Sequence, residues 1–99
     1  MGDLPVDLEG IPSLCRWWRI RELGLIGSVL RADFRPESDV DFVVTFEANA
    51  QWDLFDIVRL REELRLIAGR QIDLIEEPAV RNPYMLASIR RTKRVLYAA

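Results

Sequence analysis

Ninety-nine residues, 49% of them hydrophobic and 30% charged, specify one small globular domain with room for a single modest core. A net charge of −2 and a pI near 5.1 provide no general basic surface, so direct nucleic-acid binding is not expected. The absence of histidine removes His acid–base chemistry, His metal ligands and the usual catalytic triads, and a single cysteine excludes an internal disulfide or a Cys-rich zinc site.

Met1 to Pro12 reads as a loose lead-in to one domain spanning residues 1–99. It has neither the basic start of a secretion signal nor the Ser or Thr of a myristoylation motif. The longest uncharged runs, Leu23 to Leu30 and Asn82 to Ile89, fall far short of the roughly 20 residues of a membrane span. With the lone thiol of Cys15, these features predict a reducing cytoplasm and no membrane contact. After Pro12-Ser13, the residues Leu14, Cys15 and Trp18, with Ile11 and Trp17, recur at helical spacing and predict a first helix that packs on a sheet. Adjacent Trp17 and Trp18 cannot share one helix face, so one is expected to be partly exposed, either at the rim of the core or toward a partner. Cys15 has no histidine to activate it and is expected to be a buried, inert thiol.

Leu23-Gly24-Leu25-Ile26 predicts a strand that runs into Gly27-Ser28, followed by a short helix over Val29 to Phe34. Glycine allows close backbone approach to a ligand, serine caps a helix, and the free N–H groups of a first helical turn favour an anion, so this bend is a candidate phosphate cradle. Asp39 to Phe46, bounded by the turn-prone Arg35-Pro36-Glu37-Ser38, predicts a second strand. Its period of two places Asp39 and Asp41 on one face and Val40, Phe42 and Val44 on the other. Neighbouring carboxylates repel unless a cation lies between them, and hard oxygen ligands on a rigid strand suit Mg²⁺ that substrate phosphates also hold. Turn chemistry, with the aspartates capping nearby N–H groups, is the structural alternative. It fits Asp41 poorly, because a carboxylate within an apolar strand needs a cation or several donors to offset desolvation.

Gln51 to Ala68 predicts a covering helix with Trp52, Phe55, Ile57, Val58, Leu60, Leu64 and Ile67 on a broad stripe, an Arg59/Glu63 ion pair, and an end at Gly69. Asp53 and Asp56 near its start complement the helix dipole rather than bind metal. Gln71 to Ile75 predicts a strand carrying Asp73, which joins the acid pair if this strand lies beside the Asp39/Asp41 strand. Asn82-Pro83 opens a last helix through Tyr84, Leu86, Ile89 and Leu96. Arg90, Arg91, Lys93 and Arg94 in its second half form either a solvated helix end or a surface for triphosphate, RNA or an acidic partner. Tyr84 and Tyr97 are expected to be packing residues with wet hydroxyls. The order helix, strand, short helix, strand, helix, strand, helix implies an α/β or α+β two-layer domain whose small mixed sheet carries three acids along one rim.

Gly27-Ser28, a ten-residue spacer, Ser38-Asp39-Val40-Asp41 and Ile72-Asp73-Leu74 together resemble the signature of the DNA polymerase beta-like nucleotidyltransferase superfamily. Within it the chain resembles the minimal nucleotidyltransferases (MNT), many of which are antitoxins paired with a HEPN-domain ribonuclease toxin. The resemblance covers nearly the whole chain. It implies the nucleotidyltransferase fold, a small mixed sheet flanked by helices. It also implies that Gly27 and Ser28 bind triphosphate, that Asp39 and Asp41 hold two Mg²⁺ ions, and that Asp73 completes the metal site and helps to activate the incoming hydroxyl. Arg31 matches a position where the family often carries arginine and is expected to touch phosphate. Ile26 stands where an aromatic residue is common, and Leu30 and Ala32 flank Arg31 where small residues are usual. The implied activity is transfer of AMP from ATP to a hydroxyl, a tyrosine in this family, of a cognate HEPN toxin bound as a hetero-oligomer. The alternative is a non-catalytic antitoxin that binds and masks the toxin.

Overall fold

The computed structural model describes residues 9–27 and 39–99. Helix α1 (Ile11–Trp17) leads into strand β1 (Ile20–Ile26), β2 (Val40–Phe46), α2 (Leu54–Ala68), β3 (Ile72–Glu76), a single 3-10 turn (Glu77–Ala79), α3 (Pro83–Thr92) and β4 (Arg94–Ala98). The strands form one mixed sheet in the order β3-β2-β1-β4. β1 is antiparallel to both β2 and β4, whereas β2 and β3 are parallel and joined by the α2 crossover. The expected mixed sheet flanked by helices is therefore present.

Local chemistry sets the boundaries. Pro12 sits in the first turn of α1, where its missing N–H costs nothing, so Ile11 and Pro12 belong to the helix and not to the lead-in. The chain leaves α1 through Trp18 and Arg19, and Arg19 adopts a φ of 53°. Asp53 and Asp56 form a reciprocal capping box, each carboxylate accepting the other's backbone N–H at 2.9 and 3.1 Å, which is the structural role their position predicted. Gly69 ends α2 at a φ of 70°. Asn82 Oδ1 caps α3 by accepting from the N–H groups of Tyr84 and Met85.

Most of the core lies between the sheet and the α1/α2 layer. There Val40, Phe42 and Val44 of β2 meet Leu14, Cys15 and Trp18 on one side and Leu60 and Leu64 on the other. Trp18 is fully buried and Trp17 is 61% exposed, as their adjacency required. Trp52 Nε1 donates to the Trp18 carbonyl at 2.8 Å, and Trp18 Nε1 donates to Glu63 Oε1 at 3.1 Å. Glu63 is thus engaged by an indole, and Arg59 lies over the Trp18 ring 5.9 Å from its centroid, so the expected Arg59/Glu63 ion pair is replaced by two contacts to one tryptophan. The buried side of α2 is the narrow Leu60, Leu64, Ala68 stripe, and Phe55 and Val58, placed on the covering face by their hydrophobicity, are exposed. On the opposite sheet face, Ile26, Val43 and Ile89 form a second, smaller cluster beneath α3.

The largest departure from the expected order is at the C-terminal end. α3 stops at Thr92, and Lys93 turns the chain with φ −57° and ψ 131° into β4, so Leu96 belongs to a strand and not to the last helix. The ladder to β1 supplies hydrogen bonds that a continued helix would have made with itself. This turn also changes the reading of the basic cluster. Lys93 is almost buried and its ammonium lies between the Glu22 and Glu77 carboxylates, at 2.7 Å from Glu77 Oε1, while Arg90 Nε approaches Glu77 at 3.5 Å. Lys93 is therefore a structural cation and not part of a solvated basic surface.

Candidate active site

The end of β1 and the starts of β2 and β3 form one rim that carries Gly27, Asp39, Asp41 and Asp73. Antiparallel pairing sets Ile26 opposite Asp41, and parallel pairing sets Asp41 opposite Asp73, so one row across three strands reads Ile26, Asp41, Asp73. Period-two geometry puts all three on the sheet face that carries Val43 and Ile89, and the opposite parity sends Val40, Phe42 and Ile72 into the main core. The two strand-borne acids are thus neighbours because of backbone register, not side-chain reach. Asp39 precedes β2 and is exposed; Asp41 is half-buried; the side chain of Asp73 is 61% exposed.

Burial pushes the Asp41 carboxyl above its usual range, and the nearby charges of Asp73 and Asp39 push it further in the same direction. The charges of Asp39 and Asp73 thus bear on Asp41 across one rim. Asp73 Oδ1 accepts from the Leu74 N–H at 3.1 Å and lies 4.0 Å from Arg61 Nη2. Arg61 escaped the sequence reading because a residue on the covering helix gives no spacing signal toward an acid on the next strand. Among the described residues no group of three or more carboxylates or thiolates is already drawn together closely enough to hold an ion alone. The oxygen donors are nevertheless of the type that Mg²⁺ takes, and this ion ordinarily retains waters and substrate phosphates in place of an all-protein cage.

Gly27 closes the row. It adopts a φ of 80°, and a β-carbon built on it would stand 2.5 Å from Asp41 Oδ2. The glycine expected to admit phosphate therefore also leaves room for the Asp41 carboxylate. Ser28, Arg31 and the predicted helix from Val29 to Phe34 lie outside the described residues. Cys15 is fully buried, and desolvation pushes its thiol up to about 12, which keeps it protonated and inert.

The nucleotidyltransferase domain model matches residues 9–96, which include the described rim. The chain belongs to the nucleotidyltransferase domain family. A candidate protein adenylyltransferase of Methanocaldococcus jannaschii is 33% identical over 72 residues, covering 73% of this chain and 72% of that one. A crystallised toxin–antitoxin with AMP-PNP contains a chain with TM-score 0.75 and 17% identity, covering 95% of this chain and 75% of the other. A further neighbour comes from the complex of a tri-AMPylated Shewanella oneidensis HEPN toxin with an MNT antitoxin, with TM-score 0.65, 17% identity and coverage of 93% and 70%. These two structures share the fold of this chain. No helix among the described residues is long and apolar enough to cross a membrane.

Proposed function

We propose that this nucleotidyltransferase is a Mg²⁺-dependent antitoxin of the cytoplasm that transfers AMP from ATP to a hydroxyl, a tyrosine, of a cognate HEPN ribonuclease toxin and so neutralises it. The single observation that carries the reading is the Asp41–Asp73 rung beside Gly27. The adenylyltransferase name of the Methanocaldococcus relative and the AMPylated toxin bound to the Shewanella neighbour support the acceptor class. The AMP-PNP of the other complex supports the donor.

Asp39, Asp41 and Asp73 would hold the metal, which when bound supplies charge neutralisation for the triphosphate. Gly27 and Ser28 cradle the triphosphate and Arg31 contacts it. Asp73, the more exposed of the two paired acids, faces the acceptor. The acceptor oxygen attacks the α-phosphorus as Asp73 accepts its proton. The bond from that phosphorus to the bridging oxygen breaks, and pyrophosphate leaves with the electron pair. Positioning and charge complementarity suffice for this transfer, and no covalent enzyme intermediate is required.

The test is incubation with the cognate HEPN-domain chain, Mg²⁺ and each nucleoside triphosphate, followed by intact mass. Wild type is expected to add AMP units to the partner, and Asp41→Ala to add none while keeping its fold. Full labelling by Asp41→Ala would overturn the site. A toxin that stays neutralised by an Asp39→Ala/Asp41→Ala double variant would assign neutralisation to masking.

A further inference from the structure

Arg61 and Asp73 meet across the margin of the sheet. Leu60 and Leu64 pack α2 onto the face that carries Val40, Phe42 and Ile72, whereas Asp73 has the opposite parity on β3. Because β3 is the terminal strand among the described residues, the arginine reaches past it, and its Nη2 lies 4.0 Å from Asp73 Oδ1. The other two arginines of α2 are engaged elsewhere, Arg59 over the Trp18 ring and Arg65 with the Glu62 carboxylate. Arg61 is thus the one that this helix turns toward the candidate site.

The contact is one of charge more than of shape. At 4.0 Å it is too long for a hydrogen bond, and the two side chains are 51% and 61% exposed. The group that hydrogen-bonds Asp73 Oδ1 is instead the Leu74 N–H, at 3.1 Å. An exposed pair of this kind adds little to stability. It does, however, set a permanent positive charge beside the Asp41–Asp73 rung. A bare Mg²⁺ is repelled by that charge. Mg²⁺ already chelated by a nucleoside triphosphate arrives with a net charge of about −2 and is attracted by it.

We propose that Arg61 is a selectivity residue: its charge beside Asp73 disfavours the bare divalent cation and favours the metal–nucleotide complex, so that metal enters together with its substrate. This rests on the metal-site reading above and adds what keeps the acids from filling with metal alone. Removing the charge shifts the two affinities in opposite directions. A merely structural role would move them together, since a disordered site binds both ligands more weakly.

The test is calorimetry on the whole chain without partner, titrating Mg²⁺ alone and Mg·ATP separately into wild type, Arg61→Gln, Arg61→Glu and Arg61→Lys, with Arg65→Gln as a control on the same helix. Arg61→Gln is expected to bind Mg²⁺ about threefold more tightly and Mg·ATP about threefold more weakly, the scale of an exposed charge pair. Arg61→Glu is expected to widen both shifts, and Arg61→Lys and the control to match wild type. Added salt is expected to shrink the differences. With wild type binding both ligands, shifts of the same sign or no shift in Arg61→Gln and Arg61→Glu would overturn the selectivity role and leave the metal site standing. Where wild type binds Mg·ATP and gives no heat with Mg²⁺ alone, the appearance of Mg²⁺ binding in Arg61→Glu upholds the role and continued silence overturns it. Binding of neither ligand by wild type would sink this role and the metal-dependent reading together.

Discussion

Gly27 stands so close to Asp41 that a β-carbon on the glycine would fall 2.5 Å from the carboxylate oxygen. One residue therefore meets two demands, a left-handed backbone at φ 80° and an open space beside the acid. Gly27→Ala is expected to lower stability by about 1–2 kcal/mol from the backbone alone. Because the obstructing atom belongs to Asp41, the variant is also expected to lose Mg²⁺-dependent AMP transfer well beyond that stability loss. Chemical unfolding and labelling of the partner measure the two effects separately, and a variant that melts lower but labels at the wild-type rate would show that Asp41 need not occupy this position.

Burial and two neighbouring carboxylates act against the charged form of Asp41. Its folded-state pKa lies above 3.8, so the fold binds its proton more tightly than the unfolded chain does. Stability from this group is accordingly greatest below 3.8 and falls as pH rises through the folded-state value. Asp41→Asn removes the penalty and is expected to melt a few degrees higher than wild type at neutral pH, with the gap closing in acid. Mg²⁺ is expected to raise the melting temperature of wild type and leave that of the variant unchanged. Thermal melts with and without Mg²⁺ at two pH values check both signs.

At the other end of the same sheet face, Lys93 holds Glu22 and Glu77 together, and Gly24 makes room for its stem: a β-carbon there would lie 2.7 Å from Lys93 Cγ. The hydrogen bond from Lys93 outweighs burial and lowers the Glu77 pKa. Burial pulls the Lys93 ammonium down, but hydrogen bonds to Glu22 and Glu77 more than offset it, and its net shift is upward. Lys93→Met leaves Glu22 without this cation and Glu77 with Arg90 alone, and is expected to cost about 3 kcal/mol at neutral pH. A depressed acid contributes stability that disappears as pH falls below 4.5 through its folded value, and a raised lysine contributes stability that disappears as pH rises above 10.5. The deficit of the variant should therefore shrink at both extremes, which unfolding measured across pH will show.

The shared rim of Asp39, Asp41 and Asp73 was legible because these residues obey short-range rules. Parity along Asp39-Val40-Asp41 and a second β-type run around Asp73 are local patterns, and the α2 crossover allows the two strands to pair in parallel. The C-terminal strand escaped because no glycine or proline separates α3 from Arg94, and the change of direction rests on Lys93 alone. The role of Lys93 was equally hidden, since its acids lie 71 and 16 residues away in sequence. Phe55 and Val58 were read as covering residues because hydrophobicity alone does not tell a face that packs from one that waits for a partner.

The sheet order has a consequence for how this protein ages under heat. β2 is clasped by β1 on one side and β3 on the other, but among the described residues β3 is clasped on one side only. A terminal strand frays at a lower free-energy cost than a central one. With Asp73 on the looser strand and Asp41 on the tighter one, the acid pair would come apart while the rest of the domain is still intact, so the proposed transfer would fail on warming before the fold does.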